Sequence, residues 1–249
     1  MRIEFSEELF QKLSYAAVVT VLTGAGVSAE SGISTFRGEK GLWKKFKPEE
    51  LADFNAFLKN PELVWEWYSY RQKVVCNAEP NPGHYALVEM EDYFKCFHII
   101  TQNIDGLHKK AGNIDPIELH GNIMRNRCIG CDNIFYEIKI DSERNIPECD
   151  NCGDLIRPDV VWFGEQLPAD EVHRANLALA ETDVFFSIGT SAIVQPAASM
   201  PFLARNNNAY IVEINIEETQ LTPFVDEYIR GKSGEILPVI MKELKKRET

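Results

Sequence analysis

Short apolar runs that each stop in small or polar residues constrain this chain more than any other feature. "AVVTVL" at 17–22 runs straight into a Gly/Ser-rich segment, and "CFHIITQN" at 96–103, "DVFFSIGTS" at 183–191 and "AYIVEIN" at 209–215 repeat the design. β-Branched runs of this length suit strands buried on both faces. Helical signals lie between and around them. Residues 6–15 offer Ser6 as a cap and Leu9, Phe10 and Leu13 as a stripe. Residues 60–75 offer Asn60, Pro61 and a stripe of Leu63, Trp67, Tyr70 and Val74. Residues 82–94, 169–181 and 234–247 read as further helices, with 245–249 expected to fray. Strands alternating with helices predict an α/β fold with a Rossmann-like parallel sheet. The polar strand ends mark the edge at which such sheets bind ligands.

Residues 121–158 break that rhythm, being rich in Cys and Asn and poor in long apolar runs. They predict a small inserted module. Cys128-x2-Cys131 and Cys149-x2-Cys152 stand 17 residues apart. A thiolate pair at i and i+3 grips one metal from a single turn, and two pairs complete a tetrahedron, so the expected ligand is one structural Zn²⁺. Four protein ligands close the site to chemistry. Arg125 and Arg127 are expected to offset part of its charge. The remaining Cys76 and Cys96 read as buried apolar fillers.

At 249 residues, 45% of them hydrophobic, the chain can bury a sizeable core, and it reads as a single catalytic domain over 1–249. Within it, 39–95 reads as a mainly helical segment beside the cleft. A formal charge of -12 disfavours direct binding of nucleic acid and leaves a basic peptide as a partner. No apolar stretch reaches membrane-spanning length and the first residues lack a signal peptide's apolar centre, so a cytoplasmic protein is expected. A monomer is favoured.

Gly24-x-Gly26-x-x-Ala29 fits the loose dinucleotide pattern and follows a strand. A backbone without Cβ can approach a pyrophosphate, and free N–H groups at a helix start point at its charge. The pattern lacks the acid that binds ribose about 20 residues on in dehydrogenases. A bound nucleotide should therefore lie differently from a dehydrogenase's, with Arg37 as a phosphate or carboxylate contact. Two histidines, His108 and His120, sit near polar strand ends, and the residues alone do not rank one above the other as a base.

The motifs in series are "GAGVSAESGISTFRG" at 24–38, "TQNIDGLH" at 101–108, "LHG" at 119–121, the cysteine pairs, "VVWFGE" at 160–165, "GTSAIVQPAA" at 189–198 and "EIN" at 213–215. Together they resemble the sirtuins, NAD-dependent protein lysine deacylases. The resemblance implies a large Rossmann-like domain with a small zinc module, and a cleft between them that takes NAD and an acylated peptide. It implies His120 as general base. It places Gly24, Ala25, Gly26, Ser28, Glu30, Arg37 and Gln102 at the NAD site, Ile33, Phe36, Asn103 and Asp105 around the nicotinamide, and Gly189, Thr190, Ser191 and Asn215 at the ribose and adenosine end. Val161, Trp162, Phe163 and Gly164 would pair with the peptide as an added strand. The implied reaction transfers the acyl group to ADP-ribose, releasing nicotinamide and free lysine, with activity falling as His120 protonates.

Tyr68 and Arg71, at i and i+3 of the helix expected over 60–75, resemble the Tyr-x-x-Arg pair by which desuccinylating sirtuins hold a terminal carboxylate. Ala52 and Thr35 match the same branch. The expected activity is therefore desuccinylation or demalonylation with some deacetylation. The alternatives are a predominant deacetylase, in which Tyr68 and Arg71 are not selective, an NAD-dependent ADP-ribosyltransferase, or a non-enzymatic binding module.

Overall fold

The computed structural model describes residues 5–36, 41–42, 47–136 and 146–247. The expected apolar runs form strands. β1 (Val18–Thr23) pairs in parallel with β2 (Cys96–Thr101), and β2 with the short β3 (Ile117–Glu118). A second, antiparallel sheet follows in β4 (Gly121–Cys128), β5 (Ile134–Phe135) and β6 (Ile156–Val160). The chain then returns to the far side of β1 as β7 (Val184–Ile188), β8 (Tyr210–Asn215) and β9 (Glu227–Arg230). The large sheet therefore runs β3-β2-β1-β7-β8-β9, all parallel. Its order reverses between β1 and β7, which opens a crevice beyond their C-terminal ends.

Successive strand residues point to opposite faces. Val19, Val21, Phe186 and Val212 pack under α1 (Glu7–Tyr15), α6 (Pro82–Tyr93) and α10 (Ser233–Arg247). Leu22, Phe185 and Ile211 pack on the other face, under α8 (Ala169–Glu181) and α9 (Met200–Asn206). Helix α2 (Ala25–Ser28) springs directly from the end of β1, and α7 (Leu107–Ala111) follows β2. A third core joins α3 (Pro48–Leu51), α4 (Phe54–Lys59) and α5 (Pro61–Cys76) to the small sheet, with Trp65 donating its indole N–H to the Ile156 carbonyl at 2.9 Å. Part of the expected helical segment, 39–40 and 43–46, lies outside the described residues.

The caps fall where the sequence places them: Ser6 accepts from Leu9 N–H and Asn60 from Leu63 N–H. Three expectations are corrected. On α5 the buried residues are Val64, Trp65, Trp67, Tyr68, Arg71 and Val75, whereas Leu63 and Tyr70 are exposed. The buried face is thus rotated from the expected stripe, because a polar Arg belongs to it. Cys76 is exposed and Cys96 half-buried, since they lie at the last turn of α5 and the open start of β2. Lys245 and Arg247 remain helical, held by Glu89 at 3.0 Å and Glu7 at 2.7 Å. No helix among the described residues is long and apolar enough to cross a membrane.

Candidate active site

A cavity of about 1220 Å³ occupies the crevice and extends under the small sheet. Two glycine-bearing loops build its floor. Gly24 N–H donates to Ile188 O, and Gly26 N–H to Gly189 O at 2.8 Å. A Cβ on Gly26 would lie 2.7 Å from the Gly189 backbone, and one on Gly24 2.8 Å from Gly189 O. Gly189 itself has φ +61°, a left-handed conformation that favours glycine. These glycines therefore let the ends of β1 and β7 interlock, a contact that spacing alone does not reveal.

The strand ends contribute the polar groups. Asn103 Nδ2 donates to Gly24 O at 3.0 Å and to Ser28 Oγ at 3.2 Å. Asp105 accepts from Ser28 Oγ at 2.7 Å and from Leu107 N–H at 2.9 Å. Gln102 Nε2 donates to Thr190 Oγ1 at 3.0 Å, and Asn215 Nδ2 to Thr190 O at 2.8 Å. His120, just after β3, faces the same cavity, with Nδ1 3.0 Å from the Gln102 carbonyl. A carbonyl can only accept, so Nδ1 carries the proton and Nε2 is the bare nitrogen. Burial lowers the basicity of this imidazole, partly opposed by the Gln102 bond. His108 is different: it is buried and points at Thr23 Oγ1, 2.9 Å away.

Gly24, Ala25, Gly26, Glu30, Phe36, Gln102, Asn103, His120, Gly189, Thr190, Ser191 and Asn215 all line the cavity, as do Ala52, Tyr68 and Val161 to Gly164. Ser28, Ile33, Asp105 and Arg71 are not among the lining residues. Ser28 and Asp105 brace the floor from behind, and Ile33 belongs to the third core. Arg37 lies outside the described residues. Glu30 accepts from Gly234 N–H at 3.0 Å and so caps the start of α10. The sequence reading missed Trp67, Glu165, Ile193 to Gln195 and Ile216 to Gln220 on the wall. Ile193 to Gln195 belong to the quoted "GTSAIVQPAA", so a signal for them was present.

At the helical end, Tyr68 Oη accepts the indole N–H of Trp162 at 2.7 Å, and burial pushes its phenol pKa up. Arg71 is 4% exposed, lies 5.5 Å from the Phe36 ring and 5.8 Å from that of Trp67, and its Nε has no hydrogen-bond partner among the described residues. Burial lowers its pKa, opposed by Tyr68, Asp105 and Tyr70. The 161–164 run is less free than strand addition asks. Val161 N–H donates to His120 O, Trp162 N–H to Glu165 and Phe163 N–H to Ala52 O. Arg157, stacked 3.3 Å from the Trp162 ring centroid and paired with Glu165, clamps this run.

Cys128, Cys131, Cys149 and Cys152 place their sulfurs within 4.8 Å of one another, with contacts of 3.3 Å (Cys128–Cys152) and 3.6 Å (Cys131–Cys149). Bonds of about 2.3 Å to one tetrahedral ion would put sulfurs roughly 3.8 Å apart, so the set fits a single metal. Arg125 and Arg127 do not serve it as expected. Both pair with Asp159, at 2.9 and 3.0 Å, and further with Glu118 and Asp132.

Residues 24–196 match the Sir2 family model. An NAD-dependent protein deacylase of Aquifex aeolicus is 49% identical over 229 residues, 92% of this chain and 96% of its own length. One from Pyrococcus abyssi is 45% identical over 246 residues, 96% of this chain and 98% of its own. A solved Sir2 homolog–NAD complex superposes with TM-score 0.90 at 45% identity, covering 99% of this chain and 96% of that one. A Sir2–p53 peptide–NAD⁺ complex does so with TM-score 0.86 at 31% identity, covering 96% and 98%. With that fold and that cavity, the chain belongs to the Sir2 family and is an NAD-dependent protein lysine deacylase.

Proposed function

We propose that this deacylase prefers acyl-lysines ending in a carboxylate, succinyl or malonyl, and also removes acetyl. The observation that carries the preference is Arg71: a buried guanidinium whose Nε is unpartnered and which has no ion pair among the described residues. Burial disfavours this charge and Tyr68 and Asp105 oppose that only in part, so an arriving carboxylate would offset the remainder. Arg71 lies 5.5 Å from the Phe36 ring and 5.8 Å from that of Trp67, and both residues line the cavity with Tyr68, so a carboxylate bound there would lie near the guanidinium. Tyr68 Oη already accepts from Trp162, which leaves its own proton for the acyl carboxylate.

NAD, the co-substrate, supplies an electrophilic ribose carbon once nicotinamide departs, and the acyl group leaves on ADP-ribose. Gly24, Ala25, Gly26, Glu30, Gln102, Thr190, Ser191 and Asn215 would hold it along the floor, with Phe36 and Asn103 near the nicotinamide. Nε2 of His120, the nitrogen left bare by the Gln102 bond, would take a proton from a ribose hydroxyl. The peptide would lie along 161–164, using the carbonyls and Gly164, since the N–H groups of Val161, Trp162 and Phe163 are engaged. Zinc held by Cys128, Cys131, Cys149 and Cys152 would be structural, because four thiolates would leave no open position for chemistry.

The test compares kcat/KM for succinyl- and acetyl-lysine in one peptide, then in Arg71→Met. Loss of a charge-assisted bond predicts a drop of about 10- to 100-fold for succinyl, with acetyl changed by less than about 3-fold. An unchanged succinyl/acetyl ratio would remove the carboxylate role.

A further inference from the structure

His84 and His108, neither of which lines the cavity, lie with ring centroids 5.0 Å apart. Each has one nitrogen engaged and one buried without a partner: Nε2 on His84 and Nδ1 on His108. The engaged sides fix the tautomers. Asn81 N–H donates to His84 Nδ1 at 3.3 Å, so the proton of His84 is on Nε2. Thr23 Oγ1 donates its single proton to Thr101 Oγ1 at 2.8 Å. The 2.9 Å contact between Thr23 and His108 must therefore be made by the Nε2–H of His108, which leaves Nδ1 a bare lone pair. The two orphaned atoms are a donor and an acceptor, on neighbouring rings whose planes are tilted by 55°.

We infer that one buried water joins His84 to His108, and that the pair are positioning residues which set the direction of the hydrogen bonds running through Thr23 and Thr101 to the Asn103 N–H. A buried donor and acceptor left apart are each destabilising, and a single water satisfies both. From His108 the order continues through Thr23 to Thr101, whose Oγ1 also accepts Asn103 N–H at 3.0 Å. That bond anchors the peptide joining Gln102 to Asn103, and the Gln102 carbonyl is the group that holds the Nδ1 proton of His120. The relay thus runs from the start of α6 to the base that the proposed function uses. Burial keeps both imidazoles neutral, with His84 pushed down to about 3 and His108 to about 4, although Asp105 opposes this at His84.

The inference rests on the proposed role of His120 for its functional consequence, but its geometry can be read without activity. Protein carrying ¹⁵N-labelled histidine, at pH 7, should give His84 and His108 as neutral Nε2–H tautomers and His120 as Nδ1–H. A Nδ1–H form of His108, or a cationic ring at either position, would overturn the relay. His84→Phe keeps a ring and removes both nitrogens. It should lower kcat about 10-fold, leave KM for NAD within about 2-fold and move the His120 ¹⁵N shifts, while His84→Gln, which keeps an acceptor and a donor, restores most of kcat. His84→Phe with full kcat and unmoved His120 signals would overturn the inference. If His84→Phe does not fold, the tautomers of the unmodified protein decide. Correct tautomers in a protein that deacylates nothing would support the relay and refute the proposed function.

Discussion

The two ends of the cavity are built on opposite terms. At the His120 end, side chains are already bonded to one another: Asn103 to Gly24 and Ser28, Gln102 to Thr190, Asn215 to Thr190, His120 to Gln102. At the Arg71 end, a desolvated guanidinium stands between aromatic rings with its Nε unpartnered. The first arrangement needs no reorganisation when charge develops, which is how a fixed polar site accelerates a reaction. The second would be completed by an anion, as the proposed function has it. Under the proposed function the difference would separate two tasks: the bonded end would run the chemistry, and the Arg71 end would choose the acyl group.

The largest effect should strike both ends together. β4 begins at Gly121, next to His120, and β6 ends at Val160, next to Val161. Removing the metal from the cysteine set should unfold this sheet, since binding to such sites contributes folding free energy of order 10 kcal/mol. Deacylation of every acyl-lysine should be lost, and with it protection of amides in 121–128 and 156–160 against hydrogen exchange. Metal-free protein that retains activity and protection would mean that neither end depends on the insert.

His120→Ala should damage the bonded end alone. A positioned general base contributes roughly 10²- to 10⁴-fold, so succinyl and acetyl turnover should fall equally by that factor while NAD still binds by calorimetry. A different loss for the two acyl groups would blur the division between the ends. The pH profile sharpens it. Burial lowers the pKa of His120, so its lone pair survives to more acid pH than in an ordinary histidine, and the acid limb of kcat/KM should lie below about pH 6.5. The same limb should appear for both acyl groups. Stability sets the lower bound. The folded protein holds His108 neutral down to about pH 4, whereas the unfolded chain takes up its proton near pH 6.5, so stability is lost as pH falls through that interval. His108 alone accounts for about 3 kcal/mol, and a melting temperature that stays level from pH 7 to 4 would contradict its burial as a neutral ring.

The bonded end was the more legible from sequence, and the reason is physical. Its residues close apolar strands, where the switch from Val and Ile to Gly, Asn and Thr is abrupt, and Gln102, Asn103 and Asn215 all fall at such switches. The cysteine pairs were legible because metal geometry fixes their spacing. On α5 the reading failed by rotation. The apolar pattern passes through Leu63 and Tyr70, both of which are exposed, whereas Tyr68 and Arg71, singled out only by the resemblance, lie on the buried face. A buried charge breaks the local rule from which such a stripe is read. Gly26 was legible as a glycine that something must approach, but not as one approached by Gly189, because pairing between distant loops leaves no periodicity. Arg157 and its stack on Trp162 were hidden for the same reason.

Tyr68→Phe should give the smallest effect and the finest cut between the two ends. It removes one hydroxyl from the incomplete end and touches nothing at His120. If Tyr68 Oη donates to the acyl carboxylate, succinyl kcat/KM should fall by about 3- to 10-fold, less than for Arg71→Met because a neutral donor is weaker than a guanidinium. Acetyl kcat/KM should hold within about 2-fold. The substitution also strips Trp162 Nε1–H of its acceptor, and a buried N–H left alone costs about 1–3 kcal/mol, which a denaturant midpoint will register. Stability and selectivity therefore move together in this variant, and they are separated by ligand: an NAD-bound melting shift equal to that of the unmodified protein locates the whole loss at the acyl end. Equal losses for succinyl and acetyl would instead mean that Tyr68 serves only to brace Trp162, leaving Arg71 as the single selector.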